Sequence, residues 1–215
     1  MFERPHHQRI AQVLSTLNGP LLRETGCLFG GGTAIALKYG EYRESVDIDF
    51  LVSDVSHYRS LRQLLTDPQG IAAIVREGAE PLVQAREVRA DQYGIRTMLL
   101  VADQRIKFEI VLEGRIKLAT PGPSDEVCGI ATLTALDMAA SKLLANSDRW
   151  GDDGVFSRDL IDLAMMRPPL SLLRQAVAKA ELAYGKSILE VQVMTINMPK
   201  ALLLQRVRAL ARILS

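Results

Sequence analysis

The sequence predicts an α+β fold in two parts. A mixed or antiparallel sheet with its helices occupies residues 1–120, and a helical region occupies 121–215. Three observations carry this reading. The stretches "SVDIDFLV" (45–52), "GIRTMLLV" (94–101) and "QRIKFEIVL" (104–112) alternate apolar and polar residues, the period of two that a half-buried strand requires. Much of the rest carries apolar residues at helical spacing. "TPGPS" at 120–124 is the one Pro/Gly cluster with linker character, and only helical patterning follows it. A chain of 215 residues that is 48% hydrophobic supplies enough Leu, Ile, Val and Ala for a sizeable core.

Taken in order, residues 5–24 read as a helix, with Ile10, Val13, Leu14, Leu17, Leu21 and Leu22 on one face and Pro20 positioned to kink or split it. "CLF" at 27–29 is a short strand stopped by Gly30-Gly31-Gly32. Thr33 to Tyr39 suits a two-turn helix with Gly40 as its C-cap. In "SVDIDFLV" the alternation sets Asp47 and Asp49 on one face, against Val46, Ile48 and Phe50. Residues 56–77 predict one or two helices broken at Asp67-Pro68, and strand character begins at Glu80. The turn "ADQ" joins the next two strands as a hairpin, in which Lys107 and Glu109 alternate with Ile106, Phe108 and Ile110. Thr134-x-x-Asp137 resembles a capping box at the head of a long helix, Arg167-Pro168-Pro169 ends the following one, and two or three helices complete the chain.

No apolar run approaches the roughly 20 residues needed to span a bilayer. The N-terminal "MFERPHHQRI" has no secretory signal character. Cys27 and Cys128, far apart and in apolar surroundings, read as reduced buried thiols, so a cytoplasmic protein without membrane association is expected. The net charge of +1 conceals an asymmetry: residues 1–166 hold 18 basic and 23 acidic residues, and 167–215 hold 8 basic and 2 acidic. A basic tail of this kind either binds a polyanion or is the solvated face of ordinary helices.

The chemistry concentrates in "FGGGTAIALKYGEYRESVDIDF" (29–50). Two neighbouring carboxylates repel and raise one another's pKa unless a cation lies between them. Hard oxygen donors of this type suit magnesium, and a third acid from an adjacent strand admits a second metal. Glu109, an acid inside an apolar strand, is the candidate. Glycines allow close backbone approach, and amides opening the Thr33 helix point toward an anion, to which the Thr33 hydroxyl can add a bond. Lys142 can reach phosphate as a point charge. Asp159 and Asp162, three apart, share a helix face, with Arg158 placed to orient the first or to touch a nucleotide. Each feature has a plainer counterpart: a turn, a capped strand end, a solvated lysine. Their joint arrangement favours a triphosphate site.

This arrangement resembles the first motif of nucleotidyltransferases of the DNA polymerase β type, and most closely the AbiEii/AbiGii toxin family. Gly31, Gly32, Thr33, Arg43, Ser45, Asp47, Ile48 and Asp49 fall on its pattern, "IKFEIV" matches the strand bearing the third acid, and "KLLANSDRWGDDGVFSRDLIDL" matches a later motif holding Lys142, Arg149, Arg158, Asp159 and Asp162. The resemblance implies a mixed sheet with helices on one side as catalytic domain (1–120), and a helical domain (121–215) completing the cleft. It implies transfer of a nucleoside monophosphate from an NTP, with pyrophosphate leaving. Asp47, Asp49 and Glu109 would hold magnesium. Gly31, Gly32, Thr33, Arg43, Ser45, Lys142 and Arg158 would hold the nucleotide, and Asp159 would support catalysis. The acceptor would be RNA, such as a tRNA 3′ end, and the partner a cognate antitoxin. The alternatives are a small-molecule acceptor such as an aminoglycoside, or a non-catalytic NTP-binding protein. His6, His7 and His57 show no metal-ligand arrangement and receive no role.

Overall fold

The computed structural model describes residues 2–155 and 157–196. The basic residues Lys200, Arg206, Arg208 and Arg212, and the helices expected there, lie outside the described residues. The chain divides into two compact units, Met1–Thr134 and Ala135–Ser215.

In the first unit the expected N-terminal helix is split in two, α1 (Pro5–Thr16) and α2 (Gly19–Glu24). Pro20 has no amide to continue a helix, and the Asn18 side chain instead accepts a hydrogen bond from the Leu21 amide at 3.1 Å, opening α2. Strand β1 (Leu28–Gly30) runs straight into α3 (Gly31–Lys38), so Gly31 and Gly32 are the first helical turn rather than a free loop. Strand β2 (Ile48–Val52) is followed by α4 (Val55–Thr66), which ends before Asp67-Pro68, and by a 3-10 turn at Gly70–Ile74. Strands β3 (Val83–Ala90), β4 (Gly94–Val101) and β5 (Gln104–Leu112) complete a five-stranded sheet of order β1-β2-β5-β4-β3. The β2–β5 pair is parallel and the other pairs are antiparallel, the mixed sheet that was expected. Ala102 and Asp103 both have positive φ (46° and 63°), the primed-turn conformation that matches strand twist in a two-residue hairpin.

The two faces of the sheet differ in chemistry. Phe29, Phe50 and Phe108 stack across β1, β2 and β5 with ring centroids 5.6 and 5.5 Å apart, and Ile48, Ile106 and Ile110 join them fully buried. Helices α3 and α4 pack against these strands. Burying each such side chain contributes about 1.5–3 kcal/mol, so this face holds the first unit together. The opposite face carries the alternate residues of the same strands: Asp49 of β2, Lys107 and Glu109 of β5, and Arg96 of β4.

After the 120–124 stretch come two strands of two residues each, β6 (Glu126–Val127) and β7 (Ile130–Ala131). Two residues cannot display an alternation, which is why the sequence pattern did not mark them. The second unit is helical: α5 (Ala135–Arg149), α6 (Arg158–Met166), α7 (Leu170–Tyr184) and α8 (Ser187–Ile196). Arg167 adopts φ 45° and closes α6 ahead of Pro168, as the proline pair predicts. Asp137 is fully buried and takes the Lys179 ammonium across α5 and α7. Both cysteines are free thiols, Cys27 buried and Cys128 partly so, and burial pushes both thiols up. Among the described residues no helix is long and apolar enough to cross a membrane.

Candidate active site

Strand register assembles the first group of predicted residues. Gly30 pairs with Asp49, and Asp49 with Glu109, so the strand end, the second acid of the Asp-x-Asp and the third acid share one rung of the sheet. Asp47 lies just ahead of β2, in the segment joining it to α3. Two of the three glycines, Gly30 and Gly31, are required by packing. A Cβ on Gly30 would meet Leu51 Cδ1 at 2.5 Å and Leu133 Cδ1 at 2.9 Å. Gly31 has φ +67°, and a Cβ there would lie 2.6 Å from Asp49 Oδ2. The α3 backbone therefore approaches the Asp49 carboxylate closely because Gly31 lacks a side chain.

Thr33 is buried, and its hydroxyl donates to Ser45 Oγ at 2.8 Å. The predicted phosphate ligand is thus held against a second motif residue. Arg43 is also buried, with Nη1 donating to the Glu44 carbonyl at 2.9 Å. Sequence reasoning missed the group that sets this segment. The Ser45 amide donates to His7 Nε2 at 3.1 Å, so Nδ1 carries the imidazole proton and donates to Glu41 at 2.7 Å. His7 is fully buried; burial pushes its pKa down, against the opposing influence of Glu41. Arg4 also lowers it and Glu44 raises it. Because the folded pKa lies below the ordinary value of about 6.5, the unfolded chain takes the proton first, and stability is full above that value and declines as pH falls beneath it. Thermal melts from pH 7.5 to 5.0 should show this loss in the wild type. His7→Asn, which cannot titrate, should be less stable by about 1–3 kcal/mol from its broken buried bonds but should lack that pH-dependent component. Identical pH slopes would exclude His7 as its source.

Glu109 is 9% exposed, and both its oxygens are engaged. Arg96 Nε donates to Oε1 at 2.5 Å, and the Lys107 ammonium holds Oε2. Burial alone would raise this carboxyl, but the bonds from Lys107 and Arg96 outweigh it and hold the pKa below the usual range. Lys107 is raised in turn: its burial is overcome by Glu109, with smaller contributions from Asp49 and Asp47. Among the described residues no group of three or more His, Cys, Asp or Glu stands ready to hold a metal ion. The donor chemistry nonetheless fits a hard divalent cation, for which Asp47 and Asp49 would supply the oxygen ligands, and the missing side chain at Gly31 spares Asp49 Oδ2 a clash. Glu109 joins them only by exchanging a bond to Lys107 or Arg96. Neither cation was recognised from sequence, although Lys107, two residues before Glu109 on the same strand face, was a readable signal.

The second unit brings together the later group. Lys142 is 6% exposed, and its ammonium bridges Asp159 Oδ1 at 3.0 Å and Asp162 Oδ2 at 2.7 Å. Arg149 binds the first acid through two nitrogens, Nε to Oδ2 at 2.7 Å and Nη2 to Oδ1 at 2.9 Å. Arg149, rather than Arg158, therefore orients Asp159, and the Arg158 Nε donates to the Val155 carbonyl at 3.1 Å. Burial would raise Asp159, but Arg149 and Lys142 together hold it below the ordinary carboxylate range. Two cations and two anions make this tetrad electrically balanced, with Lys142, Asp159 and Asp162 buried and Arg149 exposed.

A family model described as nucleotidyl transferase AbiEii toxin, type IV TA system, matches residues 15–212. No curated protein matches the chain. Two solved structures from Helicobacter pylori are similar to it. One, described as a candidate nucleotidyltransferase, is 16% identical with a TM-score of 0.38, covering 86% of this chain and 96% of that chain. The other, JHP933, is 16% identical with a TM-score of 0.41, covering 92% of this chain and 98% of that chain.

Proposed function

The chain belongs to the AbiEii nucleotidyl transferase toxin family of type IV toxin–antitoxin systems, and from that premise we propose that it transfers a nucleoside monophosphate from an NTP to a hydroxyl of an RNA acceptor, with magnesium and with pyrophosphate leaving. The observation that carries this reading is the rung Gly30–Asp49–Glu109, in which a helix N-terminus lacking side chains abuts a carboxylate. Backbone amides at Gly31 and Gly32 are the anion-facing groups for the β- and γ-phosphates. The partly buried Thr33–Ser45–His7–Glu41 chain of hydrogen bonds fixes the segment that ends at Asp47. Asp47 and Asp49 are the metal ligands, and the metal supplies charge neutralisation on the triphosphate and on the reacting oxygens.

Glu109 is kept ionised by Arg96 and Lys107. Release of one of these bonds frees an oxygen to complete the metal ligands or to take the acceptor hydroxyl's proton. Lys142 is the phosphate-contacting cation of the helical unit, and Asp159 its positioning partner. Arg43 and Arg158, each tied to a nearby backbone carbonyl, contribute to nucleotide binding by shaping its surroundings. A toxin of this kind acts in the cytoplasm and is matched by a cognate antitoxin.

The test is incubation with magnesium, each α-labelled NTP in turn and total cellular RNA. Label entering an RNA band with one NTP is the expected result. Label entering only a small molecule would replace the RNA acceptor, and magnesium-dependent NTP binding without any labelled product would replace transfer by binding.

A further inference from the structure

The carboxylate rung does not end at Glu109. Glu109 pairs with Arg96 on β4, and Arg96 with Arg89 on the edge strand β3. A second rung runs parallel to it, from Lys107 through Met98 to Arg86. Paired residues share a face of a sheet, so Arg86, Arg89, Arg96 and Lys107 emerge on the same side as Asp49 and Glu109. In a regular strand Arg86 and Arg89, an odd number apart, would point to opposite faces. The register shift between them turns both to one face. They border a groove of about 420 Å³, lined by four cations against Glu87 and Asp91.

The charges in this groove are unequally matched. Arg96 is offset by Asp91 at 2.9 Å and by Glu109, and Lys107 by Glu109. Arg89 stands directly opposite Arg96, an arrangement that costs stability unless an anion lies between. Among the described residues neither the Arg86 nor the Arg89 guanidinium has a hydrogen-bond or ion-pair partner. Both are exposed. With strands about 4.8 Å apart, Arg89 lies roughly 10 Å from the Glu109 position, a separation that one extended ligand with more than one phosphate can bridge.

We propose that this groove is the acceptor track. It holds backbone phosphates of a single-stranded polynucleotide on Arg86 and Arg89 and delivers the terminal hydroxyl to the Glu109–Asp49 end of the rung. The assignment rests on the nucleotidyltransferase reading above and adds to it the surface that receives the acceptor. Several cations in line across strands, beginning at a carboxylate site, fit a polyanion better than a lone phosphate.

The experiment measures binding of a fluorescently labelled single-stranded oligoribonucleotide by anisotropy across a KCl series, with the full chain. Arg86→Glu/Arg89→Glu is compared with the milder Arg86→Gln/Arg89→Gln and with Arg206→Glu/Arg208→Glu/Arg212→Glu. NTP binding is measured separately in each. The expected result is an affinity at least tenfold weaker at low salt for the groove reversal. The slope of log K against log salt should be shallower by about 1.4, from about 0.7 for each of two lost phosphate contacts. The Gln pair should show a smaller loss of the same kind, NTP affinity should be unchanged, and KM for the RNA should rise with kcat preserved. An unchanged affinity and slope in both groove variants would overturn the proposal. So would a slope carried wholly by the tail reversal, or a wild type that binds NTP but no oligonucleotide. Failure of the underlying transferase reading is separately visible, as absence of any labelled product when the wild type is incubated with magnesium, NTP and RNA.

Discussion

Asp49→Asn should reduce nucleotide transfer by about a thousandfold or more, equivalent to ~4 kcal/mol of lost transition-state stabilisation, and should leave the melting temperature nearly unchanged. Asparagine preserves the shape of the side chain and removes its negative charge, which a hard divalent cation requires. Asp49 sits on the polar face of the sheet, partly exposed, outside the Phe29–Phe50–Phe108 stack. Gly31→Ala should behave differently. Its φ of +67° disfavours any residue with a Cβ, and the added methyl would press on Asp49 Oδ2 from 2.6 Å. Transfer should fall with it, and stability should also fall, by about 1–3 kcal/mol. The two sites are in direct contact, and Asp49→Ala removes the Oδ2 and Cγ that the new methyl would meet while keeping Cβ, so in that background part of the Gly31→Ala stability cost should disappear. Strict additivity in such a cycle, or full activity in Asp49→Asn, would remove the close approach of helix and carboxylate from the mechanism.

The parts of this site that the sequence made legible are those encoded by local period. Alternation in "SVDIDFLV" and "QRIKFEIVL" placed Asp49 and Glu109 on strands and away from the core face, and the hairpin between β4 and β5 lies where its turn residues put it. A spacing of three on one helix likewise brought Asp159 and Asp162 to a common face. What stayed hidden depends on register and on distant pairing. Nothing local links His7 to Glu41, 34 residues away, or Arg96 to Glu109, 13 away. Arg86 and Arg89 were unreadable for a further reason: their odd spacing denies a shared face, and only the irregular pairing of β3 restores it. The triple glycine was legible as a functional turn, yet its first-turn helical position came from the structure. For Arg86, Arg89, Arg96 and Glu109 the missing information is which strand neighbours which, and for His7 it is which distant segment packs on α1.

Lys142→Ala should have the largest effect on stability, about 3–5 kcal/mol, because it withdraws the ammonium from between two buried carboxylates. For a chain of this size that corresponds to a fall in melting temperature on the order of 10 °C. Arg149 still binds Asp159, so the Asp162 side bears most of the loss. The pH dependence has a definite sign. Asp159 is held below the ordinary carboxylate range, so its stabilisation is present above about pH 4 and is lost as pH falls through its lowered native value. The difference between wild type and Lys142→Ala should therefore narrow in acid, as Asp159 takes up its proton. Stability and catalysis can be separated at this residue. Lys142→Met combined with Asp162→Leu replaces the ion pair by apolar volume and leaves Asp159 with Arg149, and such replacements are often neutral or stabilising. The double variant should recover most of the lost melting temperature and remain inactive if Lys142 has the phosphate role proposed for it. Activity returning together with stability would show that Lys142 serves the helical core alone.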